Sequence, residues 1–298
     1  RRVSERHDPG NHWRKAFLRK LGLIAGEGEL PAIMARNASL KGLEVVVISV
    51  CEEIDPEVAL VASGIHIVDL DEMDEALEIL KNEGISEVAM IGKVWRKEAY
   101  RPGVEEAVEK LAHYEADRAD TSLLAAFVKN LGRAGIRVAN QLEYLGDAVP
   151  ERGVLGCSEP SPAEWDDISF GFKKAKAISG AGIGQTVIVK NLSVVAVEAA
   201  EGTDEAIARA GRLAGGCVVV KVAWQDQDMR FDIPTVGPDT IKVMLEAEAR
   251  VLAIEAGKTI IVRKEDTLAF ANEAGIPVVA VGEVETLEDN DKRRRSVR

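Results

Sequence analysis

Short apolar runs alternate with amphipathic segments along the first half of this chain, and this alternation restricts the fold more than any other feature. The run Leu21–Gly26 leads through a glycine turn into a helix-like segment containing Pro31, which is followed by the run Leu43–Val50. Proline fits the first turn of a helix because no N–H is needed there, and Gly42 is typical of a helix end. The pattern predicts the opening of a βαβ unit.

The same alternation continues to about residue 139. Gly64–Val68 and Glu87–Ile91 have the composition of strands, and the segment Asp71–Glu83 between them has the periodicity of an amphipathic helix. A long helical stretch over about 104–133 precedes a further predicted strand at Gly135–Ala139. Strands separated by helices favour a parallel sheet, so the first half is predicted to be Rossmann-like.

The second half reads as a mixed α/β domain. Gly, Pro, Ser and acidic residues concentrate over 146–162, which predicts a linker. Beyond it we predict a helix at Ala163–Ser179 and a hairpin at Thr186–Ala199, because two β-rich runs there are joined by a short polar turn. Further helices are predicted at Thr203–Leu213, Pro238–Ala249 and Glu265–Ala274, with strands at Cys217–Val222, Val251–Glu255, Thr259–Val262 and Pro277–Val281.

The predicted fold class is therefore α/β, with an N-terminal Rossmann-like parallel-sheet domain and a C-terminal mixed α/β domain. A length of 298 residues suits two domains. The predicted organisation is an extension over 1–19, a nucleotide-binding domain over 20–150, a catalytic domain over 160–283 and a tail over 284–298.

Charge is distributed unevenly along the chain. The formal net charge is −12, yet residues 1–20 and residues 292–298 each carry a net +5, which leaves the body at −22. Such a body repels nucleic-acid phosphates, so no nucleic-acid partner is expected. An anionic substrate would need a divalent cation or a local basic cluster. The basic ends are interpreted either as mobile ends or as a peripheral contact with an anionic membrane surface.

Targeting signals are also absent from the sequence pattern. No apolar run approaches the roughly 18 residues that span a bilayer, and no apolar segment near residue 16 resembles a secretory signal. A cytoplasmic location is the expectation.

The three cysteines, Cys51, Cys157 and Cys217, are far apart, which predicts reduced, buried structural thiols.

Two glycine-containing turns in the first half are candidate ligand contacts. Gly26 and Gly28 lie at a strand-to-helix turn, where free N–H groups favour a phosphate. Pro31 stands where the dinucleotide fingerprint has glycine, and Glu29 adds negative charge, so a purely structural turn stays an alternative. Lys93 begins a basic cluster after a strand and suits a phosphate, unless the cluster is a solvated loop.

Polar residues beyond two other predicted strands are further candidates. Asn140 and Gln141 follow the strand at 135–139 and would contact a base or sugar, although amides at strand ends also cap helices. Glu198 at the end of the predicted hairpin and Glu201 just after it suit a metal or a sugar. Thr203 or Asp204 is expected to cap the next helix.

The most charged loop of the second half follows the strand at 217–222. Its charged residues are Lys221, Asp226, Asp228, Arg230 and Asp232, within KVAWQDQDMRFDIPTVG. Carboxylates hold divalent cations and activate water, and Arg or Lys offsets oxyanion charge, so the mixture suits phosphoryl chemistry. From spacing alone, a solvated loop of alternating charge is an equal alternative.

Several blocks of the sequence together resemble one known family. LGLIAGEGELP, IGKVWR, IGQTVIV, AVEAAEGTDEAI and QDMRFDIPTVGPDT occur in the order and spacing of the UDP-2,3-diacylglucosamine pyrophosphatases of lipid A biosynthesis. The resemblance covers about Lys20–Val281. It implies a cytoplasmic, Mg²⁺-dependent hydrolase that yields UMP and 2,3-diacylglucosamine 1-phosphate through water attack at the β-phosphorus. It also implies a UDP-diacylglucosamine substrate between two domains, and a homodimer.

The resemblance also implies roles for individual residues. Asp232 matches the family's essential aspartate, with Asp228 and Arg230 as further catalytic residues, and Mg²⁺ is expected on Asp232, Asp228 and Glu198. The expected substrate contacts are Gly26, Gly28, Glu29, Lys93, Gln141, Gln185, Lys221 and Thr235. The chain departs from the family pattern at Trp224 and Asp226, where the family has Lys-Pro and glycine, and at Gly182, where it has an acid before IGQ.

Two other function classes fit parts of the sequence. A nicotinamide-dependent oxidoreductase would use the first half, although Pro31 counts against its fingerprint. A non-enzymatic UDP-sugar-binding protein would bind the nucleotide sugar without releasing UMP, and it would leave the acidic loop without a role.

Overall fold

The structure is a computed structural model that describes residues 19–94, 120–145 and 148–282. The chain divides into two compact units, the first ending at Tyr144 and the second beginning at Leu145. Four predicted features lie outside the described residues. They are the extension before residue 19, the tail, the basic residues Arg96 and Lys97, and the part of the long helix before Asp120.

Unit 1 contains a five-stranded sheet in the order β3-β2-β1-β4-β5, in which every neighbouring pair is parallel. This arrangement confirms the predicted Rossmann-like parallel sheet. Its strands are β1 Lys20–Ala25, β2 Glu44–Ser49, β3 Gly64–Ile67, β4 Glu87–Ile91 and β5 Arg137–Val138. Its described helices are α1 Leu30–Leu40, α2 Pro56–Val61, α3 Met73–Asn82, α4 Asp120–Arg133 and α5 Leu142–Leu145.

The central strand β1 is packed closely by α3. Its residues from Leu21 to Ala25 are buried, as expected for a strand covered on both faces. A Cβ at Gly22 would lie 2.7 Å from Leu80 Cδ2 of α3, so the glycine makes room for this leucine. Leu80 has no exposed surface, and burial of such a side chain contributes about 1.5–3 kcal/mol.

The buried carboxylate of Glu87 connects several segments of unit 1 at the start of β4. Glu87, the first residue of β4, accepts a hydrogen bond of 2.6 Å from the hydroxyl of Tyr144 and ion pairs with Arg137 at 2.7 Å and Arg19 at 3.0 Å. Burial, reinforced by the negative charge of Glu87, raises the pKa of Tyr144. The segment before β1, strand β5 and helix α5 are thereby joined to β4.

Unit 2 contains a mixed six-stranded sheet in the order β6-β13-β11-β9-β7-β8 and a separate parallel pair, β10 with β12. Strands β9, β11 and β13 are parallel, whereas β7 and β8 form the predicted antiparallel hairpin. The strands are β6 Gly153–Val154, β7 Thr186–Lys190, β8 Ser193–Val197, β9 Val218–Lys221, β10 Thr235–Val236, β11 Val251–Glu255, β12 Ile260–Ile261 and β13 Val278–Val281. The helices are α6 Pro162–Gly180, α7 Thr203–Leu213, α8 Pro238–Glu246 and α9 Lys264–Glu273.

The sheet of unit 2 has a hydrophobic core on each face. On one face, Ile168 and Phe172 of α6 pack against alternate valines of the central strands. On the other face, residues of α7, α8 and α9, such as Ile207 and Met244, pack against Ile188 and Leu252. Because successive strand residues point to opposite faces, nearly continuous apolar strands supply both cores. The carboxyl ends of the parallel strands are left for polar residues.

Some short elements differ from the sequence predictions. The predicted linker contains β6, a two-residue strand that pairs with β13 at the sheet edge, and glycine and proline around it hid so short a strand. Helix α2 was also missed, although Asp55 accepts a hydrogen bond of 2.8 Å from Glu57 N and Pro56 starts the helix. These two features form an ordinary N-terminal signature.

The described part of the chain includes no helix long and apolar enough to traverse a lipid bilayer.

Cys51, Cys157 and Cys217 are free thiols, as predicted. Only Cys217 is buried, and Cys157 is exposed, so the prediction that all three are buried was wrong. Cys157 lies in an irregular segment after β6, between Gly156 and Ser158, where no helix or strand periodicity indicates whether a side chain is buried.

Candidate functional site

Unit 1 has a cleft of about 990 Å³ at the carboxyl ends of its strands. The sheet order reverses between β1 and β4, and ligands of open α/β sheets bind outside the strand ends at such a switch point. The lining comes from the segments that follow β1, β2, β3 and β4. It includes Gly26, Gly28, Glu29, Glu52, Glu53, Asp69 and Lys93.

Four of the predicted substrate contacts therefore lie on one surface. Gly26, Gly28, Glu29 and Lys93 all line this cleft, although 64 residues of sequence separate Glu29 from Lys93. Glu52 and Glu53 join them from the segment after β2 and are exposed. The parallel topology brings these residues together.

Gly26 has a packing role that the sequence did not indicate. The segments after β1 and β4 form an antiparallel bridge between Glu27 and Lys93. Each backbone nitrogen donates to the other residue's carbonyl oxygen, at nitrogen-to-oxygen distances of 2.9 and 2.8 Å. A Cβ at Gly26 would lie 2.7 Å from Lys93 O, and one at Gly92 would lie 2.6 Å from Gly26 C. Gly26 is thus required by the neighbouring backbone. Gly28, with φ of +99° and open space around it, still suits a close ligand approach.

The cleft is strongly acidic. Among the described residues that line it, one lysine, Lys93, stands against six carboxylates, which are Glu27, Glu29, Glu52, Glu53, Asp55 and Asp69. Asp55 caps α2. Carboxylates accept hydrogen bonds from hydroxyl and N–H groups but repel phosphate oxygens. The cleft is therefore better suited to a sugar hydroxyl or a base than to an uncompensated phosphate.

The amides after β5 are used within unit 1. Gln141 is buried, and its Nε2 donates a hydrogen bond of 2.5 Å to Met90 O. Asn140 Oδ1 accepts a hydrogen bond of 2.8 Å from Leu142 N at the start of α5. Neither residue lines the cleft. The side chain of Gln141 pairs with β4 through Met90 O, and its contact with substrate stays a prediction.

A second set of predicted residues meets at the sheet edge of unit 2. Lys221 ends β9 and is buried, and its Nζ donates hydrogen bonds to Thr203 Oγ1 at 2.8 Å and to Thr235 O at 2.9 Å. Thr203 Oγ1 donates in turn to Glu198 Oε1 at 2.8 Å, and Glu198 Oε2 accepts from Gln185 N at 3.3 Å. One hydrogen-bonded chain therefore joins residues from five segments.

Two residues of this series of hydrogen bonds differ from their predicted roles. Thr203 was expected to cap α7, but the capping position belongs to Gly202, with φ of +86°, and the threonine hydroxyl links Lys221 to Glu198. The predicted role of Glu198 is metal binding, whereas its two carboxylate oxygens accept hydrogen bonds from Thr203 Oγ1 and Gln185 N. In the sequence, the only sign of the link between Thr203 and Glu198 is that a polar residue of the first helical turn follows soon after an acid.

Gln185 adds unused donors to the same edge. Its side chain is buried, and Nε2 has no hydrogen-bond partner among the residues that the structure describes. A buried donor left unpaired costs about 1–3 kcal/mol, which a bound acceptor would recover. With the ammonium of Lys221 nearby in the chain of hydrogen bonds, this edge is suited to an anion.

The loop after β9 contains a close ion pair. Arg230 binds Asp228 through two parallel contacts, Nε to Oδ1 at 2.9 Å and Nη2 to Oδ2 at 2.6 Å, and Arg230 N donates to Oδ1 at 3.0 Å. These hydrogen bonds from Arg230 lower the pKa of Asp228 and raise that of Arg230. Asp228 is thus ionised and occupied by its neighbour.

We expect Asp228 to titrate below 3.8, its ordinary value, and to move toward that value in Arg230→Met. Because the folded-state pKa is depressed, the pair stabilises the loop above the unfolded pKa, and this contribution is lost as the pH falls through the folded pKa. Carboxyl-carbon NMR titration of both proteins measures the shift. Equal titration of Asp228 in both would contradict the ion pair.

Asp232 is held at the end of the same loop in an uncommon conformation. It is exposed and has φ of +50°, in the left-handed region that few non-glycine residues adopt. Trp224 Nε1 donates a hydrogen bond of 2.8 Å to Asp232 Oδ2. Gln227 Nε2 donates to the carbonyls of Asp228, Phe231 and Asp232 at 3.0, 3.0 and 3.2 Å. The sequence resemblance marked Gln227 and Asp232 but left Trp224 outside the family pattern.

The predicted metal ligands do not form a ready-made site. Within residues 19–94, 120–145 and 148–282, no three acidic, histidine or cysteine side chains converge where a metal ion would sit. Asp228 is engaged by Arg230 and Glu198 by Thr203 and Gln185. Asp228 and Glu198 thus already have protein partners, and metal binding by Asp232, Asp228 and Glu198 stays a prediction.

Comparison with known proteins covers almost all of the described chain. The profile of the LpxI N-terminal domain matches residues 20–148, and that of the LpxI C-terminal domain matches residues 151–279. A curated relative from Caulobacter vibrioides, named UDP-2,3-diacylglucosamine pyrophosphatase LpxI, is 31% identical over 279 residues, or 89% of this chain and 98% of the relative. The family resemblance of the sequence blocks is confirmed.

Solved structures share only coarse features with this chain. N5-carboxyaminoimidazole ribonucleotide synthetase from Thermotoga maritima is 16% identical, with a TM-score of 0.26 over 59% of this chain and 34% of that chain. The biotin carboxylase subunit of pyruvate carboxylase is 14% identical, with a TM-score of 0.26 over 62% of this chain and 39% of that chain. This chain spans little more than a third of their length, and likenesses this low carry no argument about function.

Proposed function

Because this chain belongs to the LpxI family, we propose that it hydrolyses the pyrophosphate bond of UDP-2,3-diacylglucosamine to UMP and 2,3-diacylglucosamine 1-phosphate. The observation that carries the proposal is 31% identity across 98% of a relative named for this activity. Both the glycine turn of unit 1 and the QDMRFDIPTVG block of unit 2 lie within the matched residues. Neither rival class, oxidoreductase or sugar-binding protein, has comparable support.

The cleft of unit 1 would bind the uridine portion of this substrate. Glu52 and Glu53 follow β2, where acids of related folds accept hydrogen bonds from ribose hydroxyls. Gly28 leaves open space for a close approach to the backbone, and Lys93 supplies the positive charge of the lining. The surplus of carboxylates favours the nucleoside end of the substrate over its phosphates.

The sheet edge and loop of unit 2 would act on the pyrophosphate. The unpaired Nε2 of Gln185 and the ammonium of Lys221 are donors for phosphate oxygens, and Thr235 holds Lys221 through its carbonyl. Arg230 adds positive charge to the loop, and Asp228 orients its guanidinium. Fixed donors placed where charge develops contribute most of the catalysis in phosphoryl transfer.

Asp232 is the carboxylate with which Mg²⁺ would associate. Mg²⁺ commonly keeps several waters and binds one or two carboxylates together with substrate phosphates, so a preformed set of three is not needed. Such an ion would offset the negative charge of the phosphates and of the acidic chain body. The exposed carboxylate of Asp232, fixed by Trp224, fits this use. It also suits the orientation of water for attack at the β-phosphorus.

The direct test measures UMP released from UDP-2,3-diacylglucosamine by the purified full chain, with Mg²⁺ or with EDTA. We expect UMP with Mg²⁺ and at least a hundredfold less with EDTA, because one metal ion contributes several kcal/mol to charge stabilisation. UDP-glucose serves as the control that lacks acyl groups. Binding of the substrate without UMP under any condition would favour a UDP-sugar-binding protein instead. UMP release unaffected by EDTA would show that the reaction needs no metal ion.

The homodimer and the contact with the inner membrane surface stay predictions.

A further inference from the structure

The indole of Trp224 contacts the Asp232 carboxylate directly. Its Nε1 lies 2.8 Å from Oδ2, which is a favourable length for a charge-assisted hydrogen bond. A hydrogen bond of this length favours the side-chain orientation of Asp232 in which Oδ2 faces the indole. The indole group therefore selects one orientation of this carboxylate.

The backbone that carries Trp224 is anchored to the core of unit 2. Glu255, the last residue of β11, is buried and accepts a hydrogen bond of 2.9 Å from the backbone N–H of Ala223. Lys176 of α6 holds Glu255 at 3.1 Å. The backbone N–H of Trp224 then donates to Gln227 Oε1 at 3.3 Å. The loop thus starts from a fixed strand end.

Gln227 closes the loop on itself. Its amide oxygen accepts from Trp224 N, and its amide nitrogen donates to carbonyl oxygens that include that of Asp232. One side chain therefore links the backbone of both residues, while the indole links their side chains. Together these contacts hold the left-handed conformation of Asp232, which few non-glycine residues adopt.

We propose that Trp224 is a positioning residue for Asp232, fixing one carboxylate oxygen so that the rest of the group faces the reacting phosphate. The role rests on the proposed function. Aromatic bulk alone would not serve it, since the contact requires the indole N–H.

The test compares Trp224→Phe with wild type and with Trp165→Phe, a matched control in α6 whose ring packs against the core of the same unit. We expect kcat for UMP release to fall about tenfold in Trp224→Phe, the loss of one hydrogen bond to a charged group. KM should stay within about twofold. Trp165→Phe should retain the kcat of wild type. A kcat close to wild type in folded Trp224→Phe, or a loss entirely in KM, would overturn the role.

A second measurement needs no substrate and separates this proposal from the proposed function. Hydrogen exchange of the Trp224 indole N–H, followed by NMR, should be on the order of tenfold faster in Asp232→Ala than in wild type. Equal exchange would show that the contact is not made in solution and would overturn the proposal. If the wild type releases no UMP, the proposed function fails whether or not the indole is protected.

Discussion

Replacing Asp232 with asparagine is expected to lower the rate of UMP release by about a thousandfold, the loss seen when one fixed charge-stabilising group is removed. Asparagine keeps the shape of the side chain and an oxygen that accepts from Trp224 Nε1, so the loop should keep its conformation. Only the negative charge is removed. The measurement is kcat with UDP-2,3-diacylglucosamine and saturating Mg²⁺.

Asp226→Asn is the matched control for this variant. Asp226 is an exposed aspartate of the same loop, and its neutralisation changes the net charge by the same amount. We expect its kcat to stay within about twofold of wild type, as for a surface charge outside the site. Equal UMP release by Asp232→Asn and wild type would remove Asp232 from the catalytic assignment, whereas equal losses in both variants would indicate a general effect of loop charge.

Replacing Gly92 with alanine is expected to destabilise unit 1 by about 3 kcal/mol, from backbone strain and steric overlap together. Its φ is +100°, and the added Cβ would lie 2.6–2.8 Å from the backbone of Gly26. Backbone atoms cannot rotate aside as a flexible side chain can. Urea unfolding of the full chain gives the change in free energy, and amide exchange in β1 and β4 locates it.

Gly28→Ala separates the two contributions. Gly28 has nearly the same φ, +99°, but a Cβ there would have nothing within 4 Å. Its cost should therefore be the strain alone, about 1 kcal/mol. A similar loss of stability in the two variants would mean that the approach of Gly92 to Gly26 is not limiting.

Much of the fold could be predicted because its determinants are local. Strands such as β4 and β11 are short apolar runs bounded by glycine or charge, and their predicted bounds agree with the structure. Helix α6 begins with Ser161 and Pro162, and the capping box of Ser161 with Glu164 explains its sharp start. By contrast, β6 exists only because β13 offers an edge, and no local pattern encodes that pairing.

The candidate site was less predictable because its contacts join distant segments. Residue type and spacing indicated that Lys221 and Asp228 belong to a charged loop, but not that Asp228 is occupied by Arg230 or that Thr203 bridges Lys221 and Glu198. Gln141 illustrates the same difficulty. An amide after a strand suggests a ligand contact, yet only the packed structure reveals that it turns inward to Met90.

The bridge between Glu27 and Lys93 has a consequence for how this protein can diverge. The segments after β1 and β4 share two backbone hydrogen bonds and a glycine-to-glycine contact, so an insertion or a bulkier residue in either one requires an accommodating change in the other. The segments after β2 and β3 have no such bridge among the described residues. Variation in length, and with it any change of ligand preference in unit 1, should therefore accumulate on that side of the cleft.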